Sequence, residues 1–405
     1  MSQLLAAIGY SIEEDTAVAV REAVAQARAA LGDQPPSVAF LTSTVDHQAS
    51  AVLDALRREL PGVAVHGITT SLGVLGARGI VAGGGGAVAV LLLGGTGEIR
   101  VVAGAAEIKD DPRAAARAAA QALREAAGGA MPRVAIFNAA PGHEEALLET
   151  LAQELPGVPM YGGSAADNAI IGEWSVYSEH GAFGNAISLL GFFGPVAFGG
   201  AMRAPYQANG LCGQVTAAEG RCLRQIDGRP AASVLNEWLG GALADQVRDG
   251  GNILAQTALR PIGLRYETGS DAHWLSIHPA HIDEKDGSVS LFAQAQSGAT
   301  LCSLSATTDE LIGVMGSLFD EALQRSGMRR EDVRAGLLIY CAGCAGAVGQ
   351  KLHEGLQAEL GPRLGSAPLL GLCTFGEQGF VPGIGNLHQD LSVSLLLLGQ
   401  PPSAR

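Results

Sequence analysis

Residues 133–168 read "RVAIFNAAPGHEEALLETLAQELPGVPMYGGSAADN". The stretch opens on a short apolar run, the form of a buried parallel strand. A small polar loop with His143 follows, then an amphipathic helix carrying Leu147, Leu148, Leu151 and Leu155 on one face. The helix stops at "ELPG", because proline cannot continue it and glycine suits the turn beyond. A second strand then runs into Gly162. Residues 37–73, "SVAFLTSTVDHQASAVLDALRRELPGVAVHGITTSLG", repeat the plan, with His47 in the loop, Val52, Leu53, Leu56 and Leu60 on the helix, and Gly67 at the close. Residues 336–377, "GLLIYCAGCAGAVGQKLHEGLQAELGPRLGSAPLLGLCTFGE", are a looser third copy that closes at Gly371. A glycine-broken segment and a further apolar strand follow each copy: "GAVAVLLLGG", "NAISLLGFFG" and "LSVSLLLLGQ". The expected fold is α/β, with two related domains, 1–210 and 211–405, of repeated βαβ units with added antiparallel strands.

In a parallel βαβ unit the crossover helix brings the second strand beside the first, so the carboxyl ends of the strands share one edge. Ligands bind at that edge in open α/β sheets. "YGGSAADN", residues 161–168, is such an end. Gly162 and Gly163 are expected to let the backbone turn and approach a ligand, and Ser164, Asp167 and Asn168 to supply polar groups. Thr69, Thr70 and Ser71 hold the equivalent place in the first copy, and Cys373, Thr374 and Glu377 in the third. One shared polar pocket is the expectation. Its Asp would suit an ammonium group, and its hydroxyl and glycine N–H groups a carboxylate, as in an amino acid.

The chain has 405 residues, 47% hydrophobic and 16% charged, with 56 glycines, enough for two globular domains with tight turns. Net charge is −14 and aromatic content 5%, a poor match to a phosphate backbone or to stacked bases, so nucleic acid is not an expected partner. "MSQLLAAIGYSIEEDT" has no basic opening segment of the signal-peptide type. The apolar stretch 186–202 is broken by glycines and a proline, which reads as a β-hairpin rather than a membrane span. A cytoplasmic location follows as the expectation, with no membrane partner and with the six cysteines as free thiols.

Three segments bear a family resemblance. "YGGSAADN" resembles the Gly-Gly-Ser-Ala-x-Asp-Asn signature of the FIST N domain. "IDGRPAA" with "VLNEWLG", residues 226–240, and "GLCTFGEQGFVPG" with "NLHQDLSVSLLLL" are similar to the start and end of the FIST C domain. Together they cover nearly the whole chain. The resemblance implies an intracellular sensory module of signal transduction that binds a small molecule, with amino acids among the proposals. One bacterial subgroup, the nitric-oxide-sensing NosP proteins, implies haem and a histidine kinase partner. In the family's C domain the loop of the third copy often reads Cys-x-Gly-Arg; here it is "CAGC", with Cys344 where a basic residue would stand.

Other residues carry candidate chemistry. "CAGC", residues 341–344, lies between a strand and a helix start, where thiol acidity rises, and Cys341, Cys344 and Cys373 could ligate a metal. His47, His143 and His273 are candidate haem ligands. "HWLSIHPAHID", residues 273–283, reads otherwise as a solvated loop. Ser164, His143 and Asp167 could form a hydrolytic triad. No nucleophile elbow, Walker loop or His-Glu-x-x-His zinc helix is present, and the glycine run 79–88 suits a turn between strands.

Overall fold

A computed structural model describes residues 2–268 and 271–401. Its frame is one unit used three times. The first unit runs β1 (Leu4–Ser11), α1 (Thr16–Leu31), β2 (Val38–Ser43), α2 (Ala49–Glu59), β3 (Ala64–Thr69), the hairpin β4 (Val74–Gly76) and β5 (Gly79–Val81), and β6 (Val88–Gly95). The second repeats it as β7 (Arg100–Glu107), α3 (Pro112–Ala126), β8 (Val134–Ala139), α4 (Glu144–Glu154), β9 (Met160–Ser164), the hairpin β10 (Val176–Ser178) and β11 (Ala182–Phe183), and β12 (Ala186–Phe193). The third begins with β13 (Ala197–Arg203). After an inserted segment, 207–305, it resumes as α5 (Thr308–Ser326), β14 (Val333–Cys341), α6 (Ala342–Val348), α7 (Lys351–Glu359), β15 (Leu369–Thr374), the hairpin β16 (Glu377–Val381) and β17 (Gly385–Gln389), and β18 (Val393–Gly399).

In each unit the two strands of the βαβ element are parallel, β2 with β3, β8 with β9 and β14 with β15, and the unit's last strand lies antiparallel beside the first of that pair. No unit keeps its hairpin. The first unit's hairpin pairs with the third unit's β15 through Leu75 opposite Gly371, and the second unit's pairs with β3 through Tyr177 opposite Gly67. The third unit's hairpin pairs with β9 through Glu377 opposite Gly163 and Gln378 opposite Gly162. The three six-stranded sheets are thus linked in a closed ring.

Their inner faces meet in one apolar cluster that includes Phe40, Ile68, Leu91, Ile136, Leu190, Leu337, Leu372 and Leu396. The outer faces are covered by helices: α1 and α2 on the first sheet, α3 and α4 on the second, α5 to α7 on the third. The strands are therefore buried on both sides, which is why their sequences are continuous apolar runs rather than alternating ones. The helices follow the sequence closely: α2 and α4 end at Glu59 and Glu154, and Val52, Leu53, Leu56, Leu147, Leu148 and Leu151 face the core.

The fold is mixed α/β, with three departures from the sequence expectations. The stretch 186–202 is not a hairpin: β12 and β13 belong to different sheets, because the turn at Gly194–Val196 carries the chain from the second unit to the third. The inserted segment forms a nine-stranded sheet with its own core of Val215, Leu223, Leu235, Ile277, Val289 and Leu301. Within it Cys212 and Cys302, directly opposite on neighbouring strands, are joined as a disulfide, so two of the six cysteines are not free thiols. "HWLSIHPAHID" is strand rather than loop, spanning parts of Asp271–Ile277 and Pro279–Ile282. Among the described residues no helix is long and apolar enough to cross a membrane.

The glycines that close the βαβ elements are required by packing. A Cβ on Gly162 would stand 1.6 Å from the carbonyl oxygen of Phe137, and one on Gly67 1.8 Å from that of Leu41. Gly162→Ala is expected to cost about 3 kcal/mol or more, read as a lower urea midpoint. Gly346→Ala lies inside α6 with nothing within 4 Å of the added carbon and should stabilise by about 0.5–1 kcal/mol. Equal midpoints for the two variants would refute this account of Gly162.

Candidate functional site

Ser164 is the last residue of β9, and α4 begins beside it. The Ser164 hydroxyl donates to Glu144 Oε1 at 2.7 Å. Because Gln378 lies opposite Gly162 on the third unit's hairpin, its amide reaches the same hydroxyl, with Nε2 3.2 Å from Ser164 Oγ and 3.0 Å from His388 Nδ1. His388 stands directly across that hairpin from Gln378. Gly376 precedes the hairpin, and a Cβ there would meet the His388 ring at 2.6 Å and Ser164 Oγ at 3.2 Å. Glycine at this turn (φ +159°) is what lets the imidazole and the hydroxyl share one space.

The inserted segment closes the arrangement. Arg221 NH2 donates to Glu144 Oε2 and to Glu145 Oε2, each at 2.6 Å. The backbone N–H of Gln294 donates to Glu145 Oε1 at 2.9 Å, and that of Gly142 to Glu144 Oε2 at 2.9 Å. His388 Nε2 faces the Phe292 carbonyl at 3.4 Å and Asp390 Oδ1 at 3.7 Å, while Asp390 Oδ2 accepts from the His278 N–H at 3.0 Å. Glu144, Ser164 and Gln378 are fully buried.

Burial alone would raise the Glu144 pKa. The His388 imidazole, the Arg221 guanidinium and the Ser164 hydrogen bond outweigh it and hold the carboxyl down to about 2. Asp390 goes the other way, pushed up to about 6 by burial against the smaller opposing effect of His388. Two carboxyl groups thus share one guanidinium, and a third, Asp390, stands beside the imidazole. Two buried oxygens, Gln378 Oε1 and Asp390 Oδ1, have no hydrogen-bond partner among the described residues. The ligand atoms of Glu144, Glu145 and His388 all lie within 4.8 Å of one another. A cavity of about 630 Å³, lined by Tyr161, Phe198, Arg325 and Phe380 among others, opens at the opposite end of the second sheet, away from these charges.

Of the residues expected at the strand ends, the structure brings Ser164 and the Gly162–Gly163 strand to this cluster and gives others different work. Gly163 admits protein rather than ligand: a Cβ there would stand 2.4 Å from Thr374 Cγ2. Asp167 is a loop organiser. Its two oxygens accept the backbone N–H groups of Ala169, Ile170, Ile171, Gly172 and Glu173, which leaves it poorly placed to take an ammonium group. Those donors, working against burial, hold its carboxyl below the ordinary range. Asn168 accepts from the Leu72 N–H and donates to Asp46. Thr69 accepts from the Ser175 N–H, and Thr70 accepts from the Cys373 N–H at 2.8 Å. Thr374 donates to Glu377 Oε1 at 2.8 Å; burial raises the Glu377 pKa well above its ordinary value, and Ser392 holds the other oxygen.

The triad of Ser164, His143 and Asp167 is not assembled. The Ser164 hydroxyl donates its hydrogen bond to Glu144, His143 is exposed at the start of α4, and Asp167 is saturated by backbone. The cysteines differ from expectation too. Cys341, Cys344 and Cys373 are buried in the helix-covered core of the third sheet. Contact with Cys344 and burial push the Cys341 thiol well up, and burial does the same to Cys373, so the helix start does not make an acidic thiol here. The haem candidates occupy separate places. His47 is buried with Nδ1 3.0 Å from Thr16 Oγ1, His143 is exposed, and His273 Nε2 meets Gln389 Oε1 at 3.0 Å.

Glu144, Glu145, Arg221, Gln378 and Asp390 were not legible as site residues. Two acids in the first turn of a helix are an ordinary preference, and Arg221 has no local marker. His388 lies in "NLHQDL", where the motif was visible and the contact was not.

The fold is mixed α/β, with a charged, buried cluster at the strand ends. Residues 37–229 match the FIST N domain and residues 231–380 the FIST C domain, so the chain belongs to the FIST family of signal-transduction sensory domains. No curated protein matches the chain in sequence. Among the solved structures that match is one described as "Cyanuric acid hydrolase: evolutionary innovation by structural concatenation", with 8% identity and a TM-score of 0.37 over 98% of this chain and 100% of that one. At that TM-score nothing is carried over from it.

Asp167→Ala should cost about 1–3 kcal/mol at pH 7, since five backbone donors lose their acceptor. A carboxyl with a lowered folded pKa contributes fully above the unfolded value of about 3.9, and the contribution is lost as pH falls through the folded value. The gap in urea midpoint between wild type and variant should therefore narrow below about pH 4. A gap that widens there would contradict the assignment.

Proposed function

We propose that this chain is a sensor that binds a small ligand bearing a positive group at the Ser164–Glu144–His388 cluster. The observation that carries the reading is a buried cluster rich in carboxyl groups: Glu144 and Glu145 share a single guanidinium, Arg221, while Asp390 lies beside His388 with its Oδ1 lacking a hydrogen-bond partner among the described residues. Buried ionised groups are costly unless paired, so this excess of carboxyl groups favours a cationic guest. The positive group can be the ammonium of an amino acid or an inorganic cation.

The position supports a sensing role. The cluster is built from three parts of the chain: the second unit (Glu144, Ser164), the third unit's hairpin (Gln378, His388) and the inserted segment (Arg221, Gln294). A guest that competes for Glu144 and Glu145 acts on the contacts that seat the inserted segment. Two seatings of that segment, with different affinities for the guest, are sufficient for a signal. A signalling protein such as a histidine kinase would read the difference.

The test is a thermal-shift screen of metal-free protein against amino acids, polyamines and divalent cations, run beside Glu145→Gln. At a ligand concentration of 100 times Kd the expected stabilisation is about 2.7 kcal/mol, a rise in Tm of about 2–4 °C. The variant should lose that rise. A ligand that stabilises both proteins equally would place the site elsewhere.

A further inference from the structure

We infer that the guest is a first-row divalent metal ion, held by Glu144, Glu145 and His388 when Arg221 withdraws. The inference rests on the reading that this cluster is the ligand site and names the ligand's class. Two carboxylates and an imidazole are the donor types that Zn²⁺, Mn²⁺ and Fe²⁺ take from proteins. Their ligand atoms lie within 4.8 Å of one another. Donors around a bound ion stand roughly 3.4 Å apart, given bond lengths of about 2.0–2.2 Å, so the set has to contract by about an ångström.

An independent feature points into the same space. Asp390 is 3% exposed and its Oδ1 has no hydrogen-bond partner among the described residues, yet it stands 3.7 Å from His388 Nε2. Standing beside the ring nitrogen that would face the ion, this carboxyl adds negative charge to the site itself. Gln378 completes the orientation of the ring. Its amide lies 3.0 Å from His388 Nδ1; turning the amide oxygen to Nδ1–H gives up the amide Nε2 contact with Ser164 and leaves His388 Nε2 with the free lone pair that a metal requires.

Arg221 occupies the cation's place in the closed structure. One guanidinium nitrogen stands 2.6 Å from an oxygen of each glutamate, the position a divalent ion would otherwise take. Ion and arginine are therefore alternatives. Removal of the arginine leaves two neighbouring carboxylates without a counter-charge, which a metal ion supplies. Arg221 comes from the inserted segment, so metal uptake and release of that segment become one event.

The competition gives the test its sign. Metal-stripped full-length protein is titrated with Co²⁺ and with Zn²⁺ alone, with calorimetry and, for Co²⁺, visible absorption as readouts. Wild type is expected to bind one ion, Arg221→Ala at least tenfold more tightly, and His388→Gln at least tenfold more weakly. Glu145→Gln is the second weakening variant if His388→Gln does not fold. Absence of binding in both wild type and Arg221→Ala, or weaker binding by Arg221→Ala, overturns the inference. If metal fails while an ammonium compound gives a shift that Glu145→Gln abolishes, the metal assignment falls and the sensor reading stands. If neither binds, both fall.

Discussion

The exchange of hairpins between units is the constraint on which the rest of this molecule depends. Each six-stranded sheet is completed by a neighbour's hairpin, and the three transfers close a ring around one apolar centre. The exchange does more than join sheets. Gln378 reaches Ser164 because it is paired opposite Gly162, and His388 follows because it lies across the hairpin from Gln378. A hairpin kept within its own unit would leave Ser164 and Glu144 at a bare strand end. The same pairing explains the packed glycines, since strands this close leave no room for a Cβ.

The charged cluster is a poor device for stability. Desolvation opposes both Glu144 and Arg221, and a buried ion pair is commonly no more stabilising than apolar residues of the same volume. Its value lies in what it connects. Arg221 and Gln294 are contacts between the inserted segment and the second unit that can be broken without disturbing the apolar centre, because they sit at its edge. The inserted segment has its own core, and it meets the third unit's hairpin as well, through His273 on Gln389 and His278 on Asp390.

Much of the frame was legible because the repeated unit writes the same physics three times. The apolar runs, the "ELPG" stops and the closing glycines are local signals, and β2–α2–β3 and β8–α4–β9 follow them almost residue for residue. The ring was not legible. Hairpins such as 74–81 and 377–389 are short, and nothing local says which sheet they complete. The site was half legible for the same reason. Ser164 stands at a strand end that the repeat predicts, whereas Arg221 and Asp390 meet it through contacts far apart in sequence. Asp167 misled because an Asp beside a strand end suits a ligand and a tight loop equally well, and here five backbone donors claim it. Cys341 misled because a helix start acidifies a thiol only where solvent or a cation supports the thiolate.

Three like parts arranged head to tail in a closed circle have the topology of a cyclic trimer written on one chain. In a trimer of identical subunits, any residue at a strand end would appear three times, and a charge placed there would face two copies of itself. One continuous chain removes that restriction. The position two residues beyond the closing glycine is Thr69 in the first unit, Ser164 in the second and Cys373 in the third. Thr69 holds a loop, Cys373 fills a core, and Ser164 faces the charges. Covalent continuity thus lets one architectural position carry three separate duties, and lets a single asymmetric site exist in a frame that is otherwise threefold.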